Sequence, residues 1–168
     1  DVYKRQGVYT AGLLAKQLNK AVCLLGGDII SKLTLPVDRA TRSIFGDAGT
    51  ATIIEPGEQK VYFSFASYGE RADAIIVENS RHRSVAEPKN DGCLYLDGIG
   101  IMNFTLNEVP ELMQGLCAAA DVKMEDISLF ACHQANKMIL QSLAEKLSVP
   151  VEKIPFTAGD CGNESSAS

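Results

Sequence analysis

Two polar side chains sit where the chain could expose them for chemistry. His133 lies in Ala131-Cys132-His133-Gln134-Ala135-Asn136, between an apolar run that reads as a strand (residues 126 to 132) and an amphipathic stretch that reads as a helix (residues 137 to 147). Asn163 lies in Gly159-Asp160-Cys161-Gly162-Asn163-Glu164-Ser165-Ser166-Ala167-Ser168, again after a strand-like run, residues 153 to 157. The glycines of this second segment allow close backbone approach. A neutral imidazole N–H and a carboxamide N–H₂ are both donors, and two donors aimed at one point suit a developing oxyanion better than a metal. The spacing alone leaves the alternative open: a structural histidine at a strand end and a turn asparagine beside glycine.

The elements that must carry these loops follow from periodicity. Apolar positions at three- and four-residue intervals predict a helix over residues 8 to 19. The unbroken apolar run of residues 21 to 30 predicts a strand covered on both faces. A loop containing Pro36, Asp38 and Arg39 follows, with Gly46-Asp47-Ala48-Gly49 as a tight turn. Residues 50 to 55 and 60 to 68 are rich in Thr, Ile, Val, Tyr and Phe and predict two strands around Pro56-Gly57. Residues 69 to 92 are polar and irregular, with room for one short strand at 74 to 77. A long helix is expected over 98 to 120, with Pro110 dividing or bending it. The last part then reads as strand, loop, helix, strand, a βαβ-like unit whose two polar loops leave the same sheet.

Composition narrows the class. A chain of 168 residues with 46% hydrophobic and 22% charged residues can bury a core and is not disordered. Its net charge is −5, and its only basic cluster is Arg81-His82-Arg83, so no nucleic-acid face is expected. Apolar runs are too short to cross a bilayer and no signal segment is visible, so the expectation is no membrane and a cytoplasmic location. Five cysteines at irregular spacing suggest neither a disulfide framework nor a zinc knuckle. Cys132, His133 and Cys161 lack a metal-ligand spacing, so no metal is expected. Gly46-Asp47-Ala48-Gly49 lacks the lysine of a phosphate-binding loop.

His133-Gln134-Ala135-Asn136 together with Gly162-Asn163-x-Ser165-x-Ala167-Ser168, the asparagine 30 residues after the histidine, resembles the paired motifs of the ketoacyl-acyl carrier protein synthase III family. Asp38-Arg39 followed by Phe45-Gly46-Asp47-Ala48-Gly49 resembles the segment linking the two halves of that family's fold. The resemblance runs from Gly7 to Ser168. It implies an α/β, thiolase-like layered αβαβα fold, incomplete. Residues 7–56 would end the N-terminal half and residues 57–168 would form a C-terminal half truncated before its last strands. Residues 1–6 read as a non-native lead-in.

The same resemblance implies an acyltransferase that joins acyl-CoA to malonyl-acyl carrier protein by decarboxylative Claisen condensation in fatty acid or related acyl biosynthesis. It needs no cofactor and acts as a homodimer. His133 and Asn163 would be catalytic, and the cysteine nucleophile would lie at or just outside position 1, where residues 1 to 6 hold none. Arg39, Phe45, Gly98, Ala135 and Asn136 would line the substrate path, and Lys137 would meet the acyl carrier protein. Met138 stands where the family often has a basic residue, and Glu164 where it more often has threonine. A cysteine-less partner or acyl-binding subunit is the rival reading. A plant-type polyketide synthase would show proline and glycine after its histidine.

Overall fold

A computed structural model describes residues 2–79, 87, 90 and 92–167. Helix α1 (Val2–Leu18) begins earlier than its periodicity predicts, taking in residues 2 to 6. Its inner face is made of small residues four apart, Gly7, Ala11 and Ala15, the two alanines being buried. Small side chains let the helix axis approach the sheet: a Cβ at position 7 would already touch Leu24 Cδ1, at 3.0 Å.

That sheet is β1 (Val22–Ile29) paired antiparallel with β2 (Asp47–Ile54), in register from Val22 opposite Ile54 to Ile29 opposite Asp47. Two expectations fail here. Asp47, Ala48 and Gly49 are ladder residues rather than a turn, since Gly49 pairs with Gly27 across the strands. β1 is also not covered on both faces. Its residues alternate between half-buried and exposed, leaving Leu25 74% and Ile29 56% accessible. The side-chain period of two puts one row against α1 and the other outward. Between the strands lies the short α2 (Arg39–Arg42), capped by Asp38, whose carboxylate accepts from Thr41 N at 3.1 Å.

Residues 60 to 68, expected to be a strand, form no ladder among the described residues. A strand exists only where a partner takes up its backbone groups, and here aromatic packing holds the segment instead. Phe63 and Phe65 stack with centroids 6.2 Å apart, and Tyr9 of α1 meets both edge-on. The short strand expected near 74 to 77 is β3 (Ile75–Val77), which pairs antiparallel with β4 (Leu94–Leu96). The basic cluster Arg81-His82-Arg83 lies outside the described residues.

Helix α3 (Gly98–Ala120) runs unbroken through a buried Pro110. Asp97 caps it, its carboxylate accepting from Gly100 N at 2.9 Å, and Asp121 ends it in the left-handed region at φ +55°. Helix α4 (Lys137–Leu147) has the predicted bounds. Leu140, Leu143, Ala144 and Leu147 make its inner stripe and close on Phe130 and Ile154, with Leu106, Val109 and Met113 of α3 alongside. Each such leucine contributes roughly 2 kcal/mol by leaving water.

The flanks of α4 correct the βαβ expectation. Residues 126 to 132 and 153 to 157 lie side by side but share one backbone hydrogen bond, Phe130 N to Lys153 O at 2.8 Å, and neither is a strand. The two polar loops therefore do not leave a common ladder. No helix among the described residues is long and apolar enough to cross a membrane.

Candidate active site

His133 is held by what surrounds its loop. Ala135 N donates to His133 O at 3.0 Å, tightening the turn into α4. The next side chain, Gln134, makes a clamp. Its Nε2 donates to Cys132 O at 3.0 Å and to Pro155 O at 3.2 Å, while its Oε1 accepts from Thr157 N at 2.8 Å. The carboxamide thus replaces the missing ladder and fixes the histidine loop against the segment that leads to Asn163.

The imidazole is largely enclosed. His133 Nδ1 is sealed from solvent and has no hydrogen-bond partner among the described residues. A charged imidazolium would bury an N–H without an acceptor there, which is costly. Burial, reinforced by the cations Arg5 and Lys4 at the start of α1, lowers the His133 pKa to about 4. His133 is therefore neutral at physiological pH, a donor through one nitrogen. The cations also locate the first turns of α1 beside this loop, because Arg5 acts on Cys132 as well.

Asn163 is buried, 8% exposed, and its backbone is locked to the entry of β2. Its N–H donates to Ile44 O at 2.8 Å, and its carbonyl accepts from Gly46 N at 3.0 Å. Only glycine fits at 46, since a Cβ there would overlap the carbonyl oxygen of Cys161. Gly162 is as constrained: it has φ +77°, and a Cβ would lie 2.9 Å from Ile44 O. The carboxamide has a defined sense, because Oδ1 accepts from Ser165 N at 3.0 Å. That leaves Nδ2 as the free end, with no hydrogen bond to any described residue. The amide is oriented as a donor.

The other expected residues are placed as follows. Phe45 bridges directly to Asn163 in a parallel pair. Ala135 follows the clamp, half-buried in the turn. Asn136 is the N-cap of α4, its Oδ1 accepting from Ile139 N at 2.9 Å, and Lys137 is the exposed first residue of that helix. Arg39 and Gly98 start α2 and α3 at exposed positions, and nothing crowds a side chain at 98. Neither is hydrogen-bonded to the His133 or Asn163 segments.

Neither nearby thiol is set up as a thiolate. Burial raises the Cys132 pKa, and desolvation followed by the Glu164 carboxylate raises that of Cys161. No group of three His, Cys, Asp or Glu side chains among the described residues could hold a metal ion. Periodicity missed Gln134 and Asp28, which bind distant segments. A polar residue inside an otherwise apolar run, as in Gly26-Gly27-Asp28, was the available signal.

Comparison with known proteins finds one family along the chain. Residues 8–73 match the family model described as 3-oxoacyl-[acyl-carrier-protein (ACP)] synthase III, and residues 117–168 match the model of its C-terminal part. A beta-ketoacyl-[acyl-carrier-protein] synthase III of Halalkalibacterium halodurans is 31% identical over 160 residues, 93% of this chain and 48% of its own length. One from Streptococcus mutans is 30% identical over 172 residues, 98% of this chain and 49% of its own length. The crystal structure of a 3-oxoacyl-(acyl-carrier protein) synthase from Burkholderia xenovorans superposes with TM-score 0.81 at 32% identity, over 98% of this chain and 50% of that one. Another 3-oxoacyl-(acyl-carrier-protein) synthase III crystal structure gives TM-score 0.85 at 29% identity, over 95% and 54%. The chain spans about half the length of the curated relatives it matches, and its fold is the thiolase-like fold of these enzymes. Matched at both ends by models of one family and superposing on its solved members, this chain belongs to the 3-oxoacyl-[acyl-carrier-protein] synthase III family.

Proposed function

We propose that this chain is the middle and later part of a longer condensing enzyme that joins an acyl group from acyl-CoA to malonyl-acyl carrier protein, releasing carbon dioxide. The observations that carry the reading are a neutral, enclosed His133 and an Asn163 carboxamide whose oxygen is already occupied, on segments that the Gln134 side chain ties to each other. Both side chains are donors at neutral pH, and neither can supply charge.

The chemistry follows from two such donors. A cysteine at the start of the helix that becomes α1 takes the acyl group as a thioester and releases CoA, its thiolate favoured by the helix dipole. The malonyl thioester then loses carbon dioxide. The electron pair of the breaking C–C bond moves toward the thioester oxygen, and N–H groups of His133 and Asn163 stabilise the charge there as it forms. The carbanion attacks the acyl-cysteine carbonyl, a C–C bond forms, the C–S bond breaks and the thiolate leaves. The product is a 3-ketoacyl-carrier protein, and no cofactor is required.

In this reading Phe45 and Ala135, next to the two donors, border the acyl and pantetheine path. Arg39, Gly98 and Asn136 line its outer parts, and the exposed Lys137 meets the acidic carrier. The division near residue 56 marks the two halves of the fold, residues 1–6 are a non-native lead-in, and the complete enzyme is a cytoplasmic homodimer. The test is to recover the complete reading frame, express it and measure carbon dioxide release from malonyl-acyl carrier protein. An upstream cysteine, and a fall of about a hundredfold in each of His133→Ala and Asn163→Ala, is the expected result. A frame without cysteine in which neither substitution matters would replace this reading with that of a non-catalytic subunit.

A further inference from the structure

The segment carrying Asn163 passes through the left-handed region on both sides. Gly162 and Ser165 both take positive φ, +77° and +53°. For a residue with a Cβ, such as Ser165, the left-handed region costs on the order of 1 kcal/mol and persists only where neighbours enforce it. The enforcing contacts come from the far end of the chain. Asp28, near the end of β1, accepts through Oδ2 from Ser166 N at 3.1 Å and from Ser166 Oγ at 2.5 Å. Gly26 of the same strand passes under the turn, its would-be Cβ 3.3 Å from Ser166 O. From α1, Lys4 Nζ donates to Ala167 O at 3.3 Å. The turn Ser165–Ala167 is thus wedged between β1 and α1.

We propose that Asp28 is a positioning residue for Asn163. The proposal rests on the reading of Asn163 as an oxyanion donor and adds how its amide is kept in the donor sense. The two charge-assisted bonds from Ser166 pin the turn, which aims Ser165 N–H at Asn163 Oδ1 and leaves Nδ2 without a bond to any described residue. Without the carboxylate the Ser165 constraint relaxes and the amide rotates. An Oδ1 facing the thioester oxygen would repel the charge that Nδ2 stabilises.

The test is a double-mutant cycle in the complete protein, with carbon dioxide release from malonyl-acyl carrier protein as readout. Asp28→Asn is expected to slow decarboxylation about tenfold in the Asn163 background, within the coupling range of residues sharing one hydrogen-bond network, and less than about twofold in the Asn163→Ala background. Ser166→Ala should reproduce the pattern and Ser166→Thr, which retains the hydroxyl, should restore most of the rate. This pair carries the test if Asp28→Asn does not fold. Equal losses in both backgrounds would mark Asp28 as merely structural and overturn the inference, as would full activity of both Asp28→Asn and Ser166→Ala beside a damaging Asn163→Ala. If Asn163→Ala itself has no effect, the donor reading fails first, and the positioning role fails with it.

Discussion

Acidification should weaken the fold before the hydrogen-bonded Asp28, Asp38 and Asp47 take up protons, and His133 sets the size of the effect. Its pKa is lowered to about 4 in the folded state, chiefly by burial, from an ordinary value of 6.5. Between these two values the unfolded chain binds a proton that the folded chain refuses, so stability rises with pH through the window and is lost as pH falls through it. The linkage integral gives a loss of about 2 kcal/mol on going from pH 7.5 to pH 5, and about 3 kcal/mol by pH 4. Asp28, Asp38 and Asp47, whose pKa values are lowered by hydrogen bonds from Ser166, Thr41 and Ser31, act only below this window. Urea unfolding at a series of pH values is the assay. With a slope of roughly 2 kcal/mol per molar for a domain of this size, the midpoint should drop by about 1 M between pH 7.5 and 5. In His133→Gln, which cannot titrate, that part of the drop should vanish. NMR of ¹³C-labelled histidine, assigned with the same variant, should show the His133 ring still neutral at pH 5. A ring that titrates at 6.5 or above, or equal pH slopes in parent and variant, would refute the argument that enclosure keeps His133 uncharged.

Three further outcomes are expected. Gly162→Ala forces a Cβ into the left-handed region and against Ile44 O, and should destabilise the protein by about 2–3 kcal/mol, read as a lower urea midpoint. Leu143→Ala empties the centre of the α4 core, where the side chain is 2% exposed, and should cost about 2–5 kcal/mol by the same measurement. Gln134→Ala removes all three bonds of the clamp. It should lower both the stability, by about 2 kcal/mol read from the midpoint, and, in the complete protein of the proposed function, the rate of carbon dioxide release, whereas a loss of stability alone would show that the clamp does not position His133.

The sequence disclosed the parts whose stability is local. Helix α4 was legible to the residue because its capping Asn136 and its Leu140, Leu143 and Leu147 stripe lie within one stretch of chain. Residues 60 to 68, 126 to 132 and 153 to 157 carry equally good strand composition, yet strand formation is decided by a partner, and none of the described residues pairs with them in a ladder. The site divides the same way. His133 and Asn163 stand in short motifs and could be named. The bonds that orient them were not legible, because Asp28 and Ser166 are 138 positions apart and nothing in either neighbourhood announces the other.

The backbone seam between residues 44–46 and 161–163 has a consequence for how the site comes into being. Gly46 N and Asn163 N are each hydrogen-bonded across the seam, with no side chain between the strands of chain. The backbone of Asn163 is not fixed until the entry of β2 is in place, so this part of the site forms no earlier than that contact. Opening of the seam must break both bonds at once. The amide protons of Gly46 and Asn163 should therefore show one common free energy of opening in hydrogen exchange, which measures how readily the seam comes apart.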